Sequence, residues 1–493
     1  MTAAERRDLI LPAFRTGAFI DGAFAPAASG RTFAAINPAT GRELVQVAAC
    51  DVADVDRAVA AARAAFEDGR WASLRPLDRK RVLQRLAALI REHKEELALT
   101  ETLNMGKPIG DSRAVDVRAT ADCFAYYGEC ADKVYGEIAP TRPDTLALVL
   151  REPLGVVGCV TPWNFPMIMA AWKVAPALAM GNSVVLKPAE ESPLTALRLA
   201  ELALEAGVPP GVFNVVPGLG EEAGAALGRH MDVDALAFTG STEVGKYFLR
   251  YSADSNMKRV FLECGGKTGV IVARDVPDLD AVAQAVAGGI FFNQGEMCTA
   301  ASRLLVDNAI RADLVARIAA LAPRWAPGDP LDPASRAGAV VSRTHQKRIL
   351  AAIARGVGEG AQLVTGGGAA LEETGGAFVS PTVFDAVAPG SSLAQQEIFG
   401  PVLSVIGFDG LDEAVSIANG TVYGLGASVW SGDLAAAHRI SRRLKAGIVY
   451  VNCFDADDIT TPFGGVKQSG FGRDKSLHAL EKYTDLKTVW TQL

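Results

Sequence analysis

The sequence predicts an α/β protein built around a parallel, doubly wound sheet. Short valine-rich runs recur from position 154 onward, and helical segments separate them. Strand and helix alternating at this spacing indicate parallel strands, because each parallel pair needs a crossover connection. Sheets of this kind bind ligands beyond the carboxyl ends of their strands, so that edge is where a functional site is expected.

Length and composition describe an ordinary globular protein. The chain has 493 residues, 49% hydrophobic and 21% charged, enough for roughly two or three domains. A net charge of -7 gives no reason to expect nucleic acid or an anionic membrane as a partner. The seven cysteines form no C-x-x-C pair and no pattern with histidine. This argues against a metal site and for a reducing compartment.

No targeting or membrane segment is expected. Residues 1–16 mix charges with a short apolar run, unlike a signal peptide. The most apolar stretch, 167–186, is interrupted by Lys173, Pro176 and Gly181, which predicts a buried helix, a turn and a strand. The expected location is the cytoplasm.

The elements follow in order along the chain. Residues before 153 are predicted to form short strands and the amphipathic helices that cover the sheet, at 18–20, 44–47, 52–66, 78–103, 114–127 and 145–152. A first strand–helix series is predicted at 155–160, 183–187, 193–205, 212–216, 221–228, 235–239 and 259–262. A second series is predicted at 269–273, up to 292, 302–306, up to 325, 402–408, 425–430 and 447–452. Residues 323–376 are predicted to be surface connections around a helix near Arg348.

Cys298 is the candidate nucleophile. An apolar helix ends in Asn293, Gln294 and Gly295, residues that accept unusual backbone angles, and the cysteine follows before the next strand. Backbone N–H groups in such a loop are available to an oxyanion, which suits nucleophilic catalysis. Taken alone, an intracellular cysteine is more often a small buried residue.

Three strand ends suggest a nucleotide. Residues 218–224 form a glycine-rich turn before a helix, but no acidic residue stands at the expected distance, so this motif alone is weak. Residues 238–245 offer small and hydroxyl side chains at a helix N-terminus, where N–H groups can bind a pyrophosphate. Lys187 and Glu190 could hold the hydroxyls of an adenosine ribose. Together these motifs point to a bound nucleotide.

Seven motifs occur in order along nearly the whole chain, namely Pro162-Trp163-Asn164-Phe165-Pro166, Lys187-Pro188-Ala189-Glu190, Phe238-Thr239-Gly240-Ser241-Thr242, Glu263-Cys264-Gly265-Gly266-Lys267, Asn293-Gln294-Gly295 with Cys298, Glu397-Ile398-Phe399-Gly400-Pro401 and Pro462-Phe463-Gly464-Gly465. This set resembles the NAD(P)-dependent aldehyde dehydrogenase superfamily. The resemblance implies oxidation of an aldehyde to a carboxylic acid through a cysteine thiohemiacetal and a thioester.

The resemblance also implies roles for individual residues. Cys298 matches the nucleophile, Asn164 the oxyanion donor beside the Cys298 backbone N–H, and Glu263 the general base that hydrolyses the thioester. Glu263 favours a free acid over a coenzyme A thioester as the product. Lys173 and Asp474 match a proton-relay pair behind this base.

For the cofactor, the resemblance implies NAD, with NADP as an alternative. A glutamate at position 190 should repel a 2′-phosphate, which favours NAD. The residues that match cofactor contacts are Trp163, Lys187, Glu190, Gly240, Ser241, Gly245, Glu397 and Phe399. No metal is implied.

The residues that match the family's substrate tunnel indicate which aldehydes the chain could accept. Its apolar wall matches Phe165, Met169, Trp172, Phe292 and Phe463. Asp457 and Asp116 match positions at the tunnel mouth, where carboxylates would attract an aldehyde with a distant cationic group. The alternative is a solvated acidic loop.

The runs 441–447 and 462–482 are similar to bacterial γ-glutamyl-γ-aminobutyraldehyde dehydrogenases of putrescine breakdown. We therefore expect that substrate or another ω-aminoaldehyde, with a broad-specificity or betaine aldehyde dehydrogenase as the alternative. A cysteine hydrolase would leave the cofactor motifs unexplained, and a non-catalytic protein would not need Cys298, Glu263 and Asn164 together.

The resemblance implies a Rossmann-like NAD-binding domain over 1–129 and 153–266, an α/β catalytic domain over 267–465, and a small β extension over 130–152 and 475–493. Unpaired strand edges in that extension suggest a homodimer or homotetramer. The chain departs from most relatives at Cys264 and Glu296. A carboxylate at 296 would disfavour a thiolate if it pointed at Cys298, unless it is solvated or hydrogen bonded elsewhere.

Overall fold

An eight-stranded sheet, here the first sheet, organises one part of the computed structural model, which describes residues 11–493. Residues 1–10, counted above in the first domain and the N-terminal segment, lie outside the described residues. In spatial order the strands are Ala23–Ala25, Ala18–Ile20, Phe213–Val215, Ser183–Lys187, Val156–Val160, Ala235–Gly240, Arg259–Cys264 and Gly470–Phe471. The five central strands pair in parallel and the outer ones antiparallel, so the predicted parallel sheet is confirmed.

Helices cover both faces of the first sheet. Val157 and Cys159 belong to one hydrophobic cluster, whereas Val156 and Val160 of the same strand belong to another on the opposite face. Such alternation places successive side chains on opposite faces, and both faces are buried. The helices in this part are Val52–Glu67, Pro76–Glu92, Lys94–Met105, Val117–Cys130, Pro166–Ala179, Leu194–Ala206, Ala225–Arg229 and Thr242–Ala253, with π-helical turns at Ser112–Asp116 and Gly220–Gly224.

One helix predicted from the sequence is divided into two helices in the structure. The sequence indicated a single helix over 78–103, but it breaks at His93, whose φ of -93° and ψ of 23° end one helix and start the next. The apolar segment at 167–186 forms a helix, a turn and a strand, as predicted. No helix described over 11–493 has the length and apolarity needed to cross a bilayer.

A seven-stranded sheet, the second sheet, follows in the chain. Its strands in spatial order are Gln362–Thr365, Thr382–Asp385, Val402–Phe408, Arg303–Asp307, Gly269–Val272, Gly426–Trp430 and Ile448–Val451, all parallel except the first. Its helices are Leu279–Phe291, Arg311–Leu321, Arg343–Gly358, Ser392–Gln395, Leu411–Asn419 and Leu434–Ser441. Strands Gln362–Thr365 and Thr382–Asp385 were not predicted, and the first of them is a largely exposed edge strand without an apolar pattern of burial.

A three-stranded antiparallel sheet, the third sheet, joins distant parts of the chain. Strand Thr145–Pro153 pairs along its whole length with Thr484–Gln492, and Glu137–Ile138 lies on its other side. Two small ribbons are formed by Thr32–Asn37 with Arg42–Ala48 and by Ala369–Ala370 with Phe378–Val379. Short 3-10 segments occur at Phe292–Gly295, Ala322–Trp325, Glu372–Thr374, Lys467–Ser469 and Leu477–Tyr483.

Candidate active site

A cavity of about 1660 Å³ lies at the carboxyl ends of the first sheet's strands. The residues at those ends, Thr161, Lys187, Gly240 and Cys264, all line it. Cys298, in the loop before strand Arg303–Asp307 of the second sheet, lines it from the other side. The cavity is therefore where the topology of a parallel sheet predicts a ligand site.

The segment from Asn293 to Cys298, here the cysteine turn, has an unusual backbone. Asn293, Gln294 and Gly295 have φ of 49°, 56° and 72°, so three consecutive residues adopt left-handed conformations. Gly295 lies against the carbonyl of Gly400, where a Cβ would overlap. The turn stops the preceding helix and directs the chain so that Cys298 faces the cavity.

The surroundings of the Cys298 thiol disfavour its thiolate form. Burial raises its pKa above the ordinary value, and the carboxylates of Glu397 and Glu263 raise it further. The thiolate is the reactive form, so the surroundings described here keep Cys298 mainly protonated at neutral pH.

Asn164 is fixed beside the cysteine turn. Its Nδ2 donates to the backbone oxygen of Glu296 at 2.9 Å, and Asn293 Nδ2 donates to the backbone oxygens of Asn164 and Glu296 at 3.2 and 3.1 Å. A side-chain amide has two hydrogens. One N–H of Asn164 Nδ2 donates to the cysteine turn. The second N–H is available to an oxygen inside the cavity, which Asn164 and Cys298 both line.

Glu263 projects from the end of its strand into the same cavity. It is 4% exposed, and neither carboxyl oxygen has a hydrogen-bond partner among the described residues. Burial raises its pKa well above the ordinary value, and the charge of Asp474 adds to this effect. A carboxyl group whose pKa lies above the ordinary value of a glutamate is a better general base than an ordinary glutamate.

The predicted pair of Lys173 and Asp474 is in contact behind Glu263. Lys173 Nζ lies 3.0 Å from Asp474 Oδ2, and both side chains are buried. Lys482 also donates to Asp474, through the other carboxylate oxygen. Burial opposes the charge of Asp474, but the two ammonium groups hold its pKa below the usual value. Sequence reasoning missed Lys482, because nothing in its neighbourhood along the chain marks it.

Of the five residues matched to the adenosine and pyrophosphate contacts, Lys187, Glu190, Gly240 and Ser241 line the cavity, whereas Gly245 does not. Lys187 Nζ lies 2.8 Å from Glu190 Oε2, and Ser241 caps the helix Thr242–Ala253 by accepting from Val244 N at 3.2 Å. Gly245 lies over Cys264, where a Cβ would be 2.9 Å from the sulfur. Cys264 thus packs beneath this helix. Its departure from most relatives touches no reacting atom.

Another part of the cavity lining is formed by Glu397 and aromatic rings. Glu397 Oε1 accepts from Gly266 N at 3.0 Å, and burial raises the pKa of Glu397 to about 7. The rings of Trp163 and Phe399 meet edge to face, with centroids 5.2 Å apart. His345 was not predicted, yet it lines the cavity here and its Nε2 lies 2.7 Å from the carbonyl oxygen of Phe399.

An apolar passage leads from Cys298 to solvent. All five predicted wall residues line the cavity, namely Phe165, Met169, Trp172, Phe292 and Phe463. The rings of Trp172 and Phe463 pack with centroids 4.9 Å apart. Sequence reasoning missed several further wall residues that lie far apart in the chain, namely Val115, Ala119, Tyr450, Phe454 and Ile459.

Asp457 does not present an unpaired carboxylate to the cavity, in contrast to the prediction. Asp457 lines the cavity, but its carboxylate forms an ion pair with Lys475, whose own side chain is 2% exposed. Asp455 and Asp458 also line the cavity, and no ion pair to either is found among the described residues. Desolvation within the cavity and, second, the charge of Asp457 raise the pKa of Asp455 to about 6.

Asp116 does not lie at the cavity mouth, so that prediction is wrong. Its side chain is fully buried and lies 2.7 Å from Lys107 Nζ. The π-helical turn Ser112–Asp116 directs this residue inward, and the same stretch of helix presents Arg118 and Asp122 to the cavity instead.

Neither a metal nor a disulfide is part of this arrangement. The described residues contain no group of acidic, histidine or cysteine side chains able to hold a metal ion. The seven cysteines, all within the described range, have free thiols.

Comparison with known proteins gives one consistent result. The sequence model of the Aldehyde dehydrogenase family matches residues 24–489. Aminoacetaldehyde dehydrogenase of Pseudomonas aeruginosa is 56% identical over 474 residues, 96% of this chain and 95% of the relative. The solved structure of an indole-3-acetaldehyde dehydrogenase complexed with NAD+ is 53% identical with a TM-score of 0.97, covering 99% of this chain and 98% of that one. γ-Glutamyl-γ-aminobutyraldehyde dehydrogenase from Burkholderia cenocepacia is 56% identical with a TM-score of 0.96 and the same coverage.

Proposed function

The chain belongs to the aldehyde dehydrogenase family, and we propose that it oxidises an ω-aminoaldehyde or an acylated aminoaldehyde to the carboxylic acid with NAD+. The observation that carries the substrate class is a group of three aspartates, Asp455, Asp457 and Asp458, on the lining of the cavity that the aromatic side chains also line. The names of two similar proteins, an aminoacetaldehyde and a γ-glutamyl-γ-aminobutyraldehyde dehydrogenase, support the same class.

In the proposed reaction, Cys298 Sγ gives its proton to solvent water, and the thiolate attacks the aldehyde carbon. The new carbon–sulfur bond sends the carbonyl π electrons to oxygen, and the free hydrogen of Asn164 Nδ2 and the Cys298 backbone N–H donate to that oxyanion. Loss of a hydride from this thiohemiacetal leaves a thioester on Cys298. Glu263 then takes a proton from water, which attacks the thioester carbon and releases the carboxylic acid and the thiol.

Protons taken up by Glu263 need an exit from a buried position. Lys173 and Asp474, in contact behind it, are the proposed relay, with Lys482 as a third member. A carboxylate held between two ammonium groups stays charged and keeps the lysines in place. This arrangement supports a proton path but leaves Glu263 itself without a hydrogen bond, ready to bind water.

The cavity wall fits a dinucleotide. A Cβ at Gly265 would overlap the carboxylate of Glu397, so a glycine is required where these two meet. Lys187 and Glu190 would hold the adenosine ribose, the N-terminus of helix Thr242–Ala253 after Gly240 the pyrophosphate, and Glu397, beside Phe399 and Trp163, the second ribose. When bound, NAD supplies the hydride acceptor. Because the Glu190 carboxylate repels a 2′-phosphate, NAD is preferred to NADP.

Charge at the mouth is expected to select the substrate. Asp455 and Asp458 have no cationic partner among the described residues, whereas the charge of Asp457 is balanced by Lys475. The mouth is therefore net negative and attracts an aldehyde whose far end carries an ammonium group. Replacing Asp457 with Asn would also expose the lysine's positive charge to that group.

The test compares NAD reduction with 4-aminobutanal, its γ-glutamyl derivative, propanal, betaine aldehyde and indole-3-acetaldehyde at matched concentrations. We expect the aminoaldehydes to have the highest kcat/KM. In Asp457→Asn their kcat/KM should fall by roughly three- to fivefold, the size of a partly exposed charge interaction, while that of propanal is unchanged.

Two variants complete that experiment. Asp457→Asn combined with Lys475→Met restores the net charge and should restore the preference. Asp455→Asn should lower kcat/KM for the aminoaldehydes at least as much as Asp457→Asn. An unchanged preference in all three would contradict the acidic-mouth argument.

The second candidate is a broad-specificity enzyme, with betaine aldehyde among its substrates. The aromatic passage favours it, because rings such as Trp172 and Phe463 accept apolar and aromatic aldehydes without distinguishing them. Similarity to the indole-3-acetaldehyde enzyme points the same way. Equal kcat/KM for propanal, indole-3-acetaldehyde and the aminoaldehydes would establish this alternative.

We also propose the domain organisation stated above, with the first sheet carrying the cofactor domain, the second sheet the catalytic domain, and the third sheet a homodimer or homotetramer interface. Two observations support it. The cavity lies between residues of the first two sheets, and strand Thr484–Gln492 has a long open edge. Free cysteines throughout fit a cytoplasmic enzyme.

A further inference from the structure

Glu296 places a buried carboxyl group inside the cysteine turn, two residues before Cys298. It is 0% exposed and points away from the cavity, with its Oε1 accepting from the backbone N–H of Val341 at 2.9 Å. The other carboxyl oxygen has no hydrogen-bond partner among the described residues. The family's chemistry does not use this group, so its burial needs another explanation.

One residue here holds three segments together. The backbone oxygen of Glu296 accepts from the side-chain amides of Asn164 and Asn293, while its side chain holds Val341. Val341 is therefore connected through Glu296 to the oxygen that positions Asn164, and along two peptide units to Cys298.

Val341 is close in the chain to His345, which lines the part of the cavity assigned to the cofactor. The next residue, Ser342, caps the helix Arg343–Gly358 by accepting from His345 N at 3.1 Å. His345 lines the cavity, and its ring packs against Trp163 with centroids 5.1 Å apart. Its Nε2 lies 2.7 Å from the Phe399 carbonyl oxygen and 3.7 Å from Glu296 Oε1. Because a carbonyl only accepts, Nε2 carries the proton.

The pair of Glu296 and His345 is not an ion pair. Burial raises the pKa of Glu296 well above the ordinary value, and burial lowers the pKa of His345 to about 4. Both shifts favour the neutral form of the group concerned. The contact with Val341 needs a hydrogen-bond acceptor at this place but no charge.

We propose that Glu296 is a positioning residue that couples the cavity wall beside His345, through Val341, to Asn164 and Cys298. This inference rests on the proposed roles of Asn164 and Cys298. In this proposal, binding of NAD against the cavity wall beside His345 changes the position of the cysteine turn, and Glu296 connects the two. A neutral side chain of the same shape should serve as well.

The test measures the rate at which iodoacetamide alkylates Cys298 in the purified full-length protein, with and without saturating NAD and without any aldehyde. In the unaltered protein NAD should change this rate at least threefold. Glu296→Gln keeps an acceptor for Val341 N and should keep both rates within twofold. Glu296→Leu has no acceptor and should lose the response to NAD, while its Kd for NAD changes less than threefold.

Gln346→Leu is the matched control. Gln346 is also a buried polar residue, in the helix Arg343–Gly358, and its side-chain hydrogen bonds, to the Phe378 carbonyl oxygen at 2.7 Å and from Arg343, lie outside the cysteine turn. It should lower the Tm about as much as Glu296→Leu and keep the NAD response. An NAD response that survives in Glu296→Leu, or is absent in the unaltered protein, would overturn the link. Aldehyde oxidation by the unaltered protein tests the proposed function separately, since alkylation needs no aldehyde.

Discussion

Glu263 illustrates how one residue's surroundings set its chemistry. Its carboxyl group is buried, lacks a hydrogen-bond partner among the described residues and has a raised pKa. The base form therefore appears only as the pH rises above the ordinary range of a glutamate. Burial raises the pKa of the Cys298 thiol as well. Both effects have the same sign, so kcat/KM should increase with pH across the neutral range, which a pH profile of NAD reduction measures.

Replacement of Glu263 by Gln separates the two halves of the reaction. Attack by Cys298 and hydride loss should continue, but hydrolysis should slow on the order of 100-fold or more, because the base is gone. We expect a burst of NADH equal to the enzyme concentration and an acyl adduct on Cys298 by intact-mass spectrometry. Omitting NAD is the control and should leave no adduct. A steady state without a burst, at an unreduced rate, would contradict the role of Glu263.

Residue by residue, the sequence was informative where a motif is continuous in the chain. Asn164, Glu263 and Cys298 lie in such motifs, and the structure places all three on one cavity. Lys482 and His345 contribute through contacts between segments far apart in sequence, which no local pattern reveals. The ion pair between Asp457 and the buried Lys475 is likewise a contact that no local pattern in the sequence reveals.

The cysteine turn is the element on which the site depends most. Gly295 has a φ of 72°, and a Cβ there would lie 2.6 Å from Pro401 N and overlap the Gly400 carbonyl. Gly295→Ala should therefore destabilise the fold by about 2 kcal/mol or more and abolish aldehyde oxidation, since the turn must move. Thermal unfolding and NAD reduction measure the two effects.

Gly358→Ala is the control for that substitution. Gly358 lies in the last turn of helix Arg343–Gly358, and nothing stands within 4 Å of a Cβ placed there. Alanine should be neutral or stabilise by up to about 1 kcal/mol, with activity unchanged. If both variants behaved alike, the left-handed backbone of the cysteine turn would not explain the need for glycine.

At the scale of elements, the strands of the parallel sheets were predicted well because they are buried on both faces. Ser183–Lys187 and Val402–Phe408 have the predicted bounds. The failures have local causes that composition does not show. A helix breaks at His93 without a glycine or proline, and the π-helical turn Ser112–Asp116 rotates Asp116 away from the cavity.

At the scale of the molecule, the third sheet has one long strand at its edge. Among residues 11–493, strand Thr484–Gln492 pairs with Thr145–Pro153 on one side, and no strand pairs with its other edge over nine residues. Leu486 and Trp490 on this strand are 56% and 64% exposed. Long open edges with apolar side chains promote association, and soluble proteins usually cover them. A second copy of the chain is the proposed cover.

Charge on that strand should therefore dissociate the assembly. Leu486→Glu with Trp490→Glu places two carboxylates on the exposed face, and burying them between subunits would cost more than the interface gains. Light scattering after gel filtration should show a smaller mass than the unaltered protein, with the Tm of each subunit lower because the edge loses its cover. Thr491→Glu adds a charge to the opposite face of the same strand and should leave the mass unchanged. If the doubly substituted protein kept its mass, the interface would lie elsewhere, and the open edge would be covered by something other than a second copy.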